Sequence, residues 1–268
     1  GRFGNWLENA RDWAISRSRF WGTPIPIWKN AEGEQICIGS RQELEALTGK
    51  SIPDLHMDHI DSITIPSPTG KSPLTRVTDV LDCWFESGSM PYAQWGYPFT
   101  NKKEFEEGFP ADFIAEGVDQ TRGWFFTLHA ISVMLFDSVA YKNVVSNGLV
   151  LDKNGNKMSK RLGNAVDPFE TLEKYGADAT RWYMISNAQP WDNLKFNLEG
   201  ISEVQRKFFG TLYNTYSFFA LYSNIDGFTF SEKEIAIKDR TELDRWILSE
   251  LNSLIKIVDE SFADYEPT

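Results

Sequence analysis

The stretch "ADFIAEGVDQTRGWFFTLHAISVMLFDSVAYKNVVSNGLVLD", residues 111–152, decides the fold. "ADFIAEG" reads as a short strand, "DQTRGWFFTLHAISVMLFD" as a mostly buried helix, and "KNVVSNGLVLD" as a second strand. Strand, helix and strand within roughly forty residues make a βαβ unit, which implies parallel strands joined by a right-handed crossover. Ligands of such sheets bind beyond the carboxyl ends of the strands. "AEGVDQ" and the loop after "NGLVLD" therefore belong at one rim.

Downstream, "DPFETLEKYGADATRWYMIS" reads as two helices. Asp167 caps the first, Pro168 stands at its first position, and Gly176 breaks it. Past about residue 198 the pattern is helical throughout. Val204, Phe208, Leu212 and Tyr216 recur every four residues, and Leu243, Ile247, Leu251, Leu254 and Val258 form a second apolar stripe. Upstream, "RDWAISRSRFWGTPIPIW" is a helical pattern that runs into Gly/Pro punctuation. Residues 29–80 carry Pro53, Pro66, Pro68 and Pro73 and read as a turn-rich insertion with small strands rather than a separate fold. The expected architecture is α/β to about residue 190, then the start of a helical bundle.

Composition narrows the function classes. Apolar residues at 41% and charged residues at 24% describe a globular chain rather than a disordered one. Two cysteines, Cys37 and Cys83, exclude a disulfide scaffold and fit a reducing, cytoplasmic setting. The apolar run "WFFTLHAISVMLF" at 124–136 is too short to span a bilayer. A formal net charge of -11 argues against wholesale wrapping of nucleic acid, but not against a local anion site. The start at Gly1 and the end soon after a helical pattern read as a piece of a longer polypeptide.

A local anion site is what residues 153–164 suggest. Lys153, Lys157, Lys160 and Arg161 gather there without an acid among them. Other phosphate and metal signatures fail. "GKS" at 49–51 and 70–72 lacks the earlier glycine of a phosphate-binding loop, because Leu44 and Ile65 occupy that place. Asp152, Asn154 and Asn156 imitate the start of a calcium loop, yet Lys157 holds its glycine position and Gly163 its glutamate position. His56 and His59 have no Cys or third His nearby to complete a zinc site, and His129 lies within an apolar helix as a core histidine. No metal is expected to be bound by these residues.

"KMSKR" at 157–161 resembles the KMSKS loop of the class I aminoacyl-tRNA synthetases. It follows a strand after a βαβ unit and leads into "LGNAVDP" and "YGADATRWYMI", which are similar to that family's sequence after the loop. "AEGVDQTRGWF" at 115–125 resembles the substrate strand of the family's isoleucine branch, with Val118 in place of the usual Ser. "DVLDCWFESGS" at 79–89, "NWLENARDWAISRSRFWGTPIPIW" at 5–28 and "LDRWILSELN" at 243–252 resemble further segments of that branch. The valyl and leucyl relatives share the lysine loop without the acidic strand.

The resemblance implies the second half of a Rossmann-type nucleotide-binding fold with a small β-rich insertion. Residues 1–190 would form the catalytic half, and 191–268 connecting helices and the start of an anticodon-binding helical domain. It implies activation of isoleucine by ATP, carried with Mg2+ as the substrate complex, and transfer to tRNA(Ile). Lys157 and Lys160 would be catalytic; Met158, Ser159, Gly148 and Leu149 would join them in ATP binding. Glu116, Gly117, Asp119, Gln120, Trp84 and Trp124 would hold the aminoacyl-adenylate. Arg161 stands where the family often has Ser and is read as supporting charge. The physical reading agrees, since charge builds on the leaving phosphates as the substrate carboxylate attacks the α-phosphate, and mobile point cations suit that place. The family's HIGH tetrapeptide is absent from these residues, so this stretch alone is expected to be inactive and, without the editing insertion, not to edit. Alternative readings are a non-catalytic module that binds nucleotide or RNA, or the valyl or leucyl relative.

Overall fold

The computed structural model describes residues 1–231 and 233–268, which part into two compact units. The first comprises Gly1–Ile114 and Asp119–Asn143, and the second Ala115–Val118 and Val144–Thr268.

The first unit opens with α1 (Arg2–Glu8) and β1 (Ser16–Arg17). The turn-rich insertion follows as β2 (Ile27–Lys29), β3 (Gln35–Cys37), α2 (Arg41–Thr48), α3 (Met57–Ile60), β4 (Thr64–Ile65) and β5 (Leu74–Arg76). Its four strands form an antiparallel sheet in the order β3-β2-β5-β4, with Trp28 opposite both Ile36 and Arg76. The insertion also owns a hydrophobic core of Trp28, Ile38, Leu44, Ile52, Ile60, Ile63, Ile65 and Leu74. That independence was not expected from the sequence, because strands of two or three residues leave no periodic trace. Helix α2 starts where Ser40 Oγ accepts from Glu43 N and Glu43 Oε2 accepts from Gly39 N, a reciprocal cap. It ends at Gly49, whose φ of 66° suits the left-handed cap.

After β6 (Val80–Leu81), antiparallel to β1, come α4 (Cys83–Gly88), α5 (Met90–Ala93) and α6 (Lys102–Gly108). The expected strand–helix–strand unit follows: β7 (Ala111–Gly117), a 3-10 turn over Val118–Arg122, α7 (Trp124–Phe136) and β8 (Tyr141–Asn147), with β7 and β8 hydrogen-bonded neighbours. Helix α7 is less buried than its composition suggests. Phe125, Leu128 and Ile131 are covered, whereas Met134 and Leu135 are 69% and 58% exposed. Gly88 lets α4 cross α7 closely, since a Cβ there would stand 2.9 Å from Thr127 backbone and from Ile131 Cδ1.

In the second unit the single strand expected over "KNVVSNGLVLD" is broken. β8 stops at Asn147 and β9 (Val150–Leu151) pairs instead, in parallel, with β10 (Leu194–Lys195). Gly148 marks the break: its N–H donates to Pro190 O at 2.8 Å, and a Cβ there would collide with the carbonyl of Asp192. Helices α8 (Pro168–Tyr175) and α9 (Ala177–Asn187) match the sequence reading, with Asp167 Oδ1 accepting from Phe169 N at 2.8 Å and Glu170 N at 3.1 Å. α10 (Leu198–Val204) passes through a π turn over Gln205–Phe209 into α11 (Gly210–Asp226), and α12 (Glu242–Ala263) closes the chain. The π turn departs from the four-residue spacing and brings two adjacent rings to Trp182: Phe208 stacks on it at 4.0 Å and Phe209 meets it edge-on at 6.3 Å. The apolar stripe of α12 is where the sequence puts it, yet Leu243, Ile247, Leu251, Leu254 and Val258 are all exposed. Among the described residues no helix is long and apolar enough to cross a membrane.

Candidate functional site

Each unit carries a locus of its own. In the first, an open cavity of about 1260 Å³ is lined by Trp13, Trp84, Asp119, Gln120, Arg122 and Phe126, among others. Trp84 is 42% exposed in the first turn of α4. Its helix is capped by Asp82, whose Oδ1 accepts from Trp84 N at 3.2 Å. The same carboxylate accepts from the Trp13 indole at 2.9 Å and the Arg17 guanidinium at 2.6 Å. Burial pushes the Asp82 carboxyl up, but the Trp13 and Trp84 N–H donors and the Arg17 charge outweigh it and leave the group below its ordinary value. Asp82 thus seats two aromatic walls of the cavity. Its place directly ahead of a helical turn is a capping signal, but the bonds to Trp13 and Arg17 leave no trace in the sequence.

Gln120 has a structural task as well as a place in the cavity. Its Oε1 accepts from Trp124 N at 3.0 Å, which caps α7, and its Nε2 donates to Asp119 Oδ2 at 3.4 Å. Gly123 makes room for this, since a Cβ would lie 2.7 Å from Gln120 Oε1. Trp124 does not line the cavity. Its indole donates to Ser87 O at 3.1 Å and its ring packs on the cluster of Ile114, Phe125 and Leu128. Glu116 and Gly117 end β7 within the second unit, with Glu116 exposed.

The second locus is the lysine loop, in the second unit. Lys157 forms an isolated bridge with Leu151, Met158 packs on the core of Ala179, Tyr183, Leu194, Phe196 and Ile201, and Ser159 leads into a 3-10 turn over Lys160–Leu162. Met158 therefore seats the loop, as its apolar side chain implies. The four cations Lys153, Lys157, Lys160 and Arg161 are exposed, and among the described residues none of them forms an ion pair. A fifth cation joins them. The Lys195 side chain crosses the turn at Gly155, where an added Cβ would stand 3.2 Å from its Cε. Strand pairing of β10 with β9 brings it there, so no sequence spacing could have found it.

The loop's backbone is organised by Asp152, buried at 9% exposure. Its Oδ1 accepts from Asn154 N at 2.9 Å and Asn156 N at 2.8 Å, and its Oδ2 from Asn164 Nδ2 at 2.9 Å. The Asn164 bond, followed by the Asn156 amide, holds the carboxyl below its ordinary value against the desolvation that opposes them. The false calcium-loop start is thus a turn that closes on its own carboxylate. Gly148 and Leu149 offer no free amide: Gly148 N donates to Pro190 O, and Leu149 N to Asn193 Oδ1 at 2.8 Å.

Residues 1–197 match the family model described as tRNA synthetases class I (I, L, M and V). Across its whole length the chain is 65% identical to an isoleucine–tRNA ligase of Cytophaga hutchinsonii and 59% identical to one of Porphyromonas gingivalis. It spans about a quarter of each relative, 25% and 26% of their lengths. A leucyl-tRNA synthetase of Agrobacterium radiobacter K84, solved in a ternary complex with tRNA and LeuAMS, shares the fold. The TM-score is 0.74 at 22% identity, with 98% of this chain and 36% of that one covered. The family model spans well over half of the chain, and the chain belongs to the class I tRNA synthetases of the isoleucine, leucine, methionine and valine group.

Proposed function

We propose that this chain is the part of an isoleucine–tRNA ligase that supplies the second half of the catalytic domain, residues 1–190, and the start of the anticodon-binding helices, residues 191–268. The whole protein would activate isoleucine with ATP, carried as its Mg2+ complex, and pass the aminoacyl group to tRNA(Ile). In the first step the isoleucine carboxylate attacks the α-phosphate, a new O–P bond forms, and the bond to the β-phosphate breaks to release pyrophosphate. The observation that carries this reading is the lysine loop: exposed, unpaired cations on a backbone held in place, in an acidic chain. Lys157 and Lys160 would neutralise the charge that builds on the departing phosphates, a service greatest at the transition state. Ser159 would add a hydroxyl donor. Met158 would act by seating the loop, and Gly148 and Leu149 would reach adenine through groups other than their engaged amides. In the cavity, Trp84, Asp119 and Gln120 would contact the aminoacyl-adenylate, with Trp124 supporting from the core. Glu116 and Gly117 are assigned to aminoacyl-adenylate binding as well, the Glu116 carboxylate being suited to an ammonium group.

The test is made in the full-length protein. Lys160→Ala lowers isoleucine-dependent ATP–pyrophosphate exchange by roughly 10²–10³, the size of losing one preorganised charge. Lys153→Ala costs less than about tenfold, because Lys153 precedes the Asn154–Gly155 turn. Full activity of Lys160→Ala would make the loop ordinary solvated surface, whereas a full-length parent without exchange activity would favour a non-catalytic module that binds nucleotide or RNA.

A further inference from the structure

We infer that Asp152 and Asn164 are positioning residues that clamp the two ends of the lysine loop, so that Lys157 and Lys160 are presented together. The inference deepens the reading above and rests on it. Asp152 holds the entry turn through the N–H groups of Asn154 and Asn156, and its other oxygen takes the amide of Asn164 beyond the loop at 2.9 Å. Asn164 then grips the backbone between the lysines. Its Oδ1 accepts from Ser159 N at 2.9 Å and its Nδ2 donates to Lys157 O at 3.2 Å. The backbone at residues 157 and 159 is thus tied, through Asn164, to a buried carboxylate. Met158, between them, is anchored in the core. Neither clamp residue need touch ATP. Their effect is geometric, and misplacing a catalytic group by about 1 Å costs on the order of 10² in rate.

Hydrogen-bond polarity makes the clamp testable by exchange of its partners. In Asp152→Asn the carbonyl still accepts from the entry turn, but the new amide faces the amide of Asn164, donor against donor. In Asn164→Asp two carboxylates face each other. In the double variant the amide introduced at 152 donates to the carboxylate introduced at 164, whose second oxygen still accepts from Ser159 N. Two longer bonds are lost, that to Lys157 O at 3.2 Å and that from Asn156 Nδ2 to Asp152 Oδ2 at 3.4 Å.

The full-length protein is used, with two readouts: hydrogen exchange of the amides at 157–164, and kcat and KM for isoleucine in ATP–pyrophosphate exchange. Each single variant should expose the loop amides and lower kcat by about 10², with KM for isoleucine unchanged within about twofold. The double variant should regain the protection and come within about tenfold of the parent kcat, a non-additivity that unrelated destabilisation would not give. Single variants that keep both protection and kcat would overturn the clamp, as would a double variant no better than the two singles combined. If Asp152→Asn does not fold, Asn164→Asp and the double variant carry the same comparison. Lys160→Ala separates the two levels. If it loses kcat with the loop still protected while the double variant stays inactive, the clamp fails and the phosphate reading stands. If it keeps full kcat, the phosphate reading fails and takes this role with it.

Discussion

Glu116 shows how residue chemistry and position divide the evidence. It is an exposed carboxylate near the end of β7, so its presence there is not a packing requirement. In the full-length protein Glu116→Ala should weaken an isoleucyl-adenylate analogue by about 2–4 kcal/mol, the cost of leaving a charged partner unpaired. Calorimetric titration with unchanged affinity would remove Glu116 from the site, and gross unfolding by circular dichroism would make it structural. Residues proposed to act through chemical type alone were legible in the sequence: the two lysines, Met158 and the acidic strand end. Asp82, Asn164 and Lys195 were not. Each works through a partner brought near by folding, as Asn164 meets Asp152 across twelve positions of sequence.

At the scale of elements, two predictions test the backbone around the lysine loop. Gly148→Ala would drive a Cβ into the Asp192 carbonyl, so it should destabilise the second unit by about 1–3 kcal/mol in urea unfolding. An unchanged midpoint would show that the β8–β9 break yields freely. The second concerns Asp152, whose folded-state carboxyl lies below its ordinary value because of the Asn164 bond and the Asn156 amide. Its stabilising effect is therefore complete above the unfolded value of about 3.9 and is lost as pH falls through the lower folded value. Amide protection at 157–164 should hold from pH 7 to about 4 and fall below that. A carboxyl resonance for Asp152 titrating at or above the ordinary value would contradict this. Capped and periodic elements, α8 and α12 above all, were legible because their signals are local. The π turn was not, since it answers to Trp182, which lies outside its own helix.

For the molecule as a whole, charge and extent set the expectation. These 268 residues correspond to about a quarter of the length of the relatives they match, and they lack the family's HIGH tetrapeptide. As an isolated chain they should give no isoleucine-dependent ATP–pyrophosphate exchange above a protein-free blank. With a net charge of -11 they should bind tRNA weakly and lose that binding steeply as salt rises. Clear exchange activity, or submicromolar tRNA(Ile) binding at physiological salt, would mean that the isolated chain suffices for either task.

The sequence by itself determined the α/β class, a strand–helix–strand unit that runs over 111–147, the helical second part and the cluster of cations at 153–161. Those features rest on local periodicity, on caps that bond within one turn, and on residue types that can be read from the chain directly. Tertiary structure alone decided that the insertion has its own core, that the second strand breaks at Gly148 to admit the chain at Asp192, and that Lys195 joins the loop cations. It also decided that one buried carboxylate, Asp152, gathers both ends of the lysine loop. The reason is common to all four. Each depends on which distant backbone or side chain arrives at a given place, and a hydrogen bond or a collision across many residues leaves no mark in the spacing of a sequence.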